Sequence, residues 1–111
     1  MAKEAANVLG KMVALALRYA RAQYLLALSL AAQGLLDDAL QHYHTAMSVQ
    51  PGIDTSPEVH FLFSVEYEKL GQFKEALQSA EKALALAPAK TDPAMLNAFK
   101  ERVETCRDRL R

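Results

Sequence analysis

Few residues in this 111-residue chain can act as acids, bases or ligands, and they are scattered. The histidines are His42, His44 and His60. His42 and His44 stand two positions apart on a helical stretch, so they point in different directions and do not chelate one metal. Asp37 and Asp38 are adjacent acids at a helix start. There the helix dipole and the free backbone N–H groups account for them without a cation. Glu66 and Glu68 are expected in solvent or paired with Lys69 and Lys74. Cys106, the single cysteine, permits no internal disulfide and falls on an apolar helical stripe with no redox partner beside it. No Cys-x-x-Cys, His-Glu-x-x-His, phosphate-cradling glycine run or nucleophile elbow occurs. The expectation is a protein that is not an enzyme and that uses no metal and no cofactor.

Charge removes further classes. The 13 basic and 13 acidic side chains balance, and they do so locally, with four of each sign in the first 55 residues and nine of each in the last 56. A neutral chain offers no field for nucleic acid, so none is expected as a partner. The longest stretch without a formal charge, Ala22 to Leu36, has 15 residues, short of the roughly 20 a membrane span requires. The apolar N-terminal region is cut by Lys11, Arg18 and Arg21, unlike the uninterrupted core of a secretory signal. A cytoplasmic protein without direct membrane insertion is expected, and the lone cysteine fits a reducing compartment.

The elements that must position these residues announce themselves through a repeat. Gly34-Leu35-Leu36-Asp37-Asp38-Ala39-Leu40, followed by Ala46 and Pro51, realigns 37 residues later as Gly71-Gln72-Phe73-Lys74-Glu75-Ala76-Leu77, followed by Ala83 and Pro88. Upstream of each glycine lies another pattern with spacings of three and four, such as Leu26, Ala27 and Leu30. Each unit reads as helix, glycine turn, helix, proline stop. Ala27, Ala39, Ala46, Ala76, Ala80 and Ala83 sit where antiparallel helices must approach closely. Ser56-Pro57 and Asp92-Pro93 read as N-caps with proline at the first helical position. Pro51 to Thr55 forms the longest connector, with Gly52 and Asp54 as turn residues. Helices are placed at 3–33, 36–50, 57–70, 73–87 and 93–110. Whether residues 3–33 form one helix or two, with a kink near Gly10 or between Leu17 and Tyr19, is left open by the pattern.

Helical pairs, the Gly-x-x-x-x-Ala-Leu turn, the downstream alanine and the terminal proline together resemble the tetratricopeptide repeat family. The resemblance covers repeat one at 20–51 and repeat two at 56–88. It implies an all-α fold of antiparallel helical hairpins stacked as a short solenoid, within one domain. Residues 1–19 are then an N-terminal helical extension and 92–111 a capping helix. The chain departs from the family pattern at Phe63, where a small residue is expected, and in three extra residues between the units.

In that family the first helix of each repeat lines a concave groove for peptides or helices. The match implies groove residues Arg21, Tyr24, Leu25, Leu28 and Ala32 from repeat one, and His60, Phe61, Ser64 and Tyr67 from repeat two. Arg21 is nearly the only cation among them, which disfavours a carboxylate clamp and favours an amphipathic helix or hydrophobic segment as guest. The function expected is an adaptor or co-chaperone-like interaction module. A homodimer is the alternative. The first helix is apolar around most of its circumference, and Val8, Met12, Leu15, Leu17 and Tyr19 are the residues expected to meet a second copy.

Overall fold

The computed structural model describes the backbone of residues 2–111 and the side chains of residues 7–111. Two glycines organise it. Gly34 and Gly71 have φ of +82° and +77°, a left-handed conformation that glycine adopts without a Cβ clash. Each closes a helix with the same pair of bonds. Leu35 N donates to Leu30 O at 2.9 Å and Gly34 N to Ala31 O at 3.0 Å; Gln72 N donates to Tyr67 O at 2.9 Å and Gly71 N to Glu68 O at 3.0 Å. This pair of hydrogen bonds satisfies carbonyls that a helix end otherwise leaves free, and it reverses the chain within a few residues.

The first turn joins α1 (Ala2–Ala32) to α2 (Leu36–Val49), and the second joins α3 (Pro57–Lys69) to α4 (Phe73–Leu86). A short 3₁₀ turn, Pro51–Ile53, leads between the hairpins, and α5 (Pro93–Leu110) follows. The fold is all-α, two stacked antiparallel helix pairs with a distinct C-terminal helix over the second. α1 runs unbroken through Gly10, so the open question of one helix or two resolves to one helix of 31 residues.

The alanines let the hairpin axes approach. Ala20, Ala27 and Ala31 of α1 and Ala39 and Ala46 of α2 are buried, as are Ala76, Ala80 and Ala83 of α4. Against the α4 alanines pack Val103 and the Cys106 thiol of α5, with Cys106 Sγ 3.4 Å from Ser64 Oγ. The seam between hairpins is built differently. There Phe63 fills the place of a small residue and meets Tyr43 edge-on at 5.4 Å and His60 at 5.9 Å. Aromatic rings thus hold the first hairpin against α3, whereas small side chains hold α4 against α5.

Two local expectations change. Asp92 caps α5 through Ala94 N at 3.1 Å, but Ser56 makes no side-chain cap. Its hydroxyl donates to Glu58 Oε2 at 2.8 Å, and its N–H turns to Tyr24. Glu68 does not pair with its neighbouring lysine. It holds Arg102 and Arg109 of α5, the latter at 3.4 Å, while Glu66 takes Lys69 at 3.0 Å.

Candidate functional site

Beneath the seam lies a polar node, centred on a residue that the sequence marks only as part of a turn. Asp54, at the end of the connector, has a side chain 4% exposed. Each of the first four helices sends it a donor. Oδ1 accepts from Tyr24 Oη of α1 at 3.0 Å and from His60 Nε2 of α3 at 2.7 Å. Oδ2 accepts from Tyr43 Oη of α2 at 2.7 Å and from Lys82 Nζ of α4 at 2.8 Å. Tyr24 Oη in turn accepts from Ser56 N at 3.1 Å, which fixes the entry to α3.

This geometry decides what the node can do. Burial alone would raise the Asp54 carboxyl, but the bonds from Lys82, Tyr43 and His60 outweigh it and hold the group at about 2. Burial, and then the neighbouring carboxylate, raises both phenols above the ordinary tyrosine range. Burial lowers His60, against the opposing pull of Asp54. A carboxylate with four donors has no basicity left for a substrate, so the node is a structural clamp. Among the described residues, no group of three His, Cys, Asp or Glu side chains is placed to hold a metal.

The clamp makes the joint acid-sensitive. Asp54 has a lower value folded than unfolded, so its contribution is full above about pH 4 and fades between about pH 4 and 2, roughly 2 kcal/mol in all. His60 is also lowered, so folding favours its neutral form and stability begins to fall below about pH 6.5. Both terms have one sign. Urea midpoints taken down the pH scale should drop more steeply for the natural chain than for Asp54→Asn; parallel curves would show that the clamp does not titrate.

The residues expected to line a groove divide. Tyr24 and His60 are 5% and 4% exposed, and Ser64 is fully buried, so none of the three is available to a partner. Tyr24 and His60 serve the clamp instead, and Ser64 faces Cys106. Leu28 is half-buried against the first core, and half-buried Tyr67 packs against both cores. Arg21 and Leu25 remain exposed, with Ala32 near the turn. Arg21 and Leu25 edge a depression of about 510 Å³ together with Leu17 and the connector. Phe61 lies elsewhere, in an apolar cleft of about 320 Å³ with Leu62, Met95, Ala98 and Phe99. These are two separate depressions.

The larger surface is α1 itself. Every residue from Asn7 to Tyr19 is exposed, including Val8, Leu9, Met12, Val13, Leu15, Leu17 and Tyr19, with Leu15 at 63%. The register explains why. His42 Nδ1 meets Gln23 Oε1 at 2.5 Å, and counting on from that antiparallel pair places Val49, the last residue of α2, opposite Ala16. Among the described residues, none from another element lies against α1 beyond that point, and the molecule is 63 Å in its longest dimension against 31 and 21 Å in the others. Among the described residues no helix is long and apolar enough to cross a membrane.

Residues 18–89 match the family model described as tetratricopeptide repeat. The match begins at Arg18, near the point where α2 ceases to cover α1, and it leaves α5 outside. No curated protein and no solved structure matches the chain.

Proposed function

Because this chain belongs to the tetratricopeptide repeat family, whose domains are non-catalytic scaffolds for contacts between proteins, we propose that it is an adaptor-type module that binds an amphipathic helix or hydrophobic segment along α1. One observation carries the reading, the unbroken exposure of residues 7–19 with seven large apolar side chains among them. Burial of one such side chain is worth about 1.5–3 kcal/mol, so an occupant gains substantially by covering the face. Leu25 and Arg21 extend it toward the body, and Phe61 with Phe99 offers a second, smaller apolar seat. A co-chaperone-like role through an apolar guest belongs to the same proposal, as does action in the cytoplasm, which the lone buried thiol supports.

A labelled synthetic helix with a leucine stripe and an acidic outer face provides the probe, since Lys11, Arg18 and Arg21 are the only charges between residues 7 and 36. Fluorescence anisotropy should show saturable binding that weakens at least tenfold for Val13→Glu and Leu25→Glu, both folded by circular dichroism. Undiminished binding in both variants would place the site elsewhere. Self-association is the second reading, favoured by the same exposed residues, with Val8, Met12, Leu15, Leu17 and Tyr19 meeting a second copy.

A further inference from the structure

We propose that the trench between α2 and α4 is a binding site for one neutral phenol ring, whose hydroxyl donates to Nδ1 of His60. Neither α1 nor α5 lines this trench, so the proposal stands apart from the docking role of α1.

The trench follows from the packing of three helices. α2 and α4 each rest on α3, yet among the described residues they do not touch one another. The gap between them has a volume of about 210 Å³. Phe63 and Tyr67 of α3 form its floor, Tyr43 and His44 its α2 side, and Ser79 and Lys82 its α4 side. An apolar cavity of about 150 Å³ takes benzene, so this space suits a single substituted ring. The walls suit it too. Tyr43 meets His44, His60 and Phe63 edge-on at 5.5, 5.6 and 5.4 Å. A guest ring over Tyr67 would extend that edge-to-face network along the floor.

One buried nitrogen faces this space without a partner. His60 gives Nε2 to Asp54, while its Nδ1 bonds nothing among the described residues. Buried polar atoms normally find a partner, and among those residues the one fully enclosed side-chain atom that lacks one is Arg102 Nε. His60 Nδ1 is therefore not fully enclosed, and the trench is the cavity that His60 borders. The 4% exposure that closes His60 to a partner's surface still admits one inserted ring.

Charge and hydrogen bonding select the ring. Lys82 is paired with Asp54 at 2.8 Å, and burial keeps His60 neutral near pH 7. Burial, and then Glu75 and Asp37, raise the Tyr67 hydroxyl, which sets two acids at that end. Lys82 stands two turns along α4 from Glu75. An anion would meet the acids and a cation would meet Lys82, whereas a neutral ring meets neither penalty. Nδ1 of the neutral ring can only accept, because its Nε2 carries the proton given to Asp54. Lys82 Nζ and the His60 ring meet on the two oxygens of that one carboxylate, so a donor stands beside the acceptor. A hydroxyl donates and accepts at a single atom; an indole N–H only donates.

Titration of p-cresol into the natural chain, followed by 15N NMR that includes the histidine ring nitrogens, tests the site. Saturation at about 1 mM is expected for a ligand of this size, with shifts at Tyr67, Ser79 and His60 Nδ1. Anisole, an isomer of p-cresol with no O–H to donate, should bind roughly fivefold more weakly. Ser79→Leu fills the trench without touching the clamp and should abolish the shifts. The two ligands are compared on the natural chain, so the test stands even where that variant fails to fold. A short neutral peptide with one tyrosine identifies the source of the ring. Tighter binding than p-cresol assigns it to a partner protein, and weaker binding assigns it to a free phenol; either supports the site. Equal affinity for p-cresol and anisole overturns the proposal. So do shifts confined to α1 or to the Phe61–Phe99 cleft, and so does the lack of any saturable shift up to the solubility limit.

Discussion

Replacing Asp54 by alanine is expected to lower the unfolding free energy by about 3–5 kcal/mol, the range found when one partner of a buried charged network is removed. The substitution leaves Tyr24 Oη, Tyr43 Oη and His60 Nε2 without their acceptor in a part-buried node, and it frees Lys82. Unsatisfied buried donors carry their full desolvation cost. Because the four donors come from four helices, the loss should loosen the seam between hairpins rather than one turn. Asp54→Asn keeps a carbonyl acceptor and should cost less. Urea denaturation checks both, and a midpoint for Asp54→Ala within error of the natural chain would mean that the aromatic packing of Tyr43, His60 and Phe63 holds the seam unaided.

The sequence foretells the hairpins and not the clamp, for a physical reason. Helix bounds are written in local chemistry. The glycines at 34 and 71 must take a left-handed conformation, and Pro57 and Pro93 open helices while Pro51 and Pro88 close them. Such signals act within one turn, so they are visible in a single chain. Asp54 takes its meaning from residues 30, 11 and 6 positions away, and from Lys82 on another hairpin. The trace it leaves is indirect. It is the only acid in a connector lengthened by three residues, and Tyr24 and Tyr43 carry hydroxyls that a purely apolar core would not need.

The same limit applies to the residues expected in the groove. Tyr24 lies on the side of the α1 alanine stripe, where periodicity places it at the surface, yet its ring reaches inward to the carboxylate and is buried. His60 and Ser64 follow it for similar reasons. By contrast, the oversupply of apolar residues on α1 is a property of one helix, and periodicity alone exposes it. What periodicity lacks is the register, set by His42 on Gln23, which shows where the cover ends.

Deleting residues 93–111 should have the second large effect. α5 buries Phe99, Val103 and Cys106, and at about 1.5–3 kcal/mol for each large apolar group the loss is roughly 5 kcal/mol. That equals the whole stability of many small domains. Phe61 also loses Phe99 at 5.7 Å, Phe73 loses the Arg109 guanidinium at 5.0 Å, and Glu68 loses both its arginines. The shortened chain should aggregate or keep helical signal without a cooperative transition. A truncated protein that stays monomeric and melts as sharply as the full chain would deny α5 its capping role.

The central claim is that residues 7–19 form a docking helix that is occupied when the protein works. An isolated helix of this length is marginal in water, so its amides exchange rapidly unless something covers them. Hydrogen–deuterium exchange of the full chain, followed residue by residue at low and high concentration and with the acidic-faced synthetic helix added, tests this most directly. The account predicts that residues 7–19 exchange fast when dilute and become protected, toward the level of residues 20–32, when a second copy or the synthetic helix covers them. Fast exchange from Asn7 to Tyr19 under every condition, with residues 20–32 protected throughout, would contradict it.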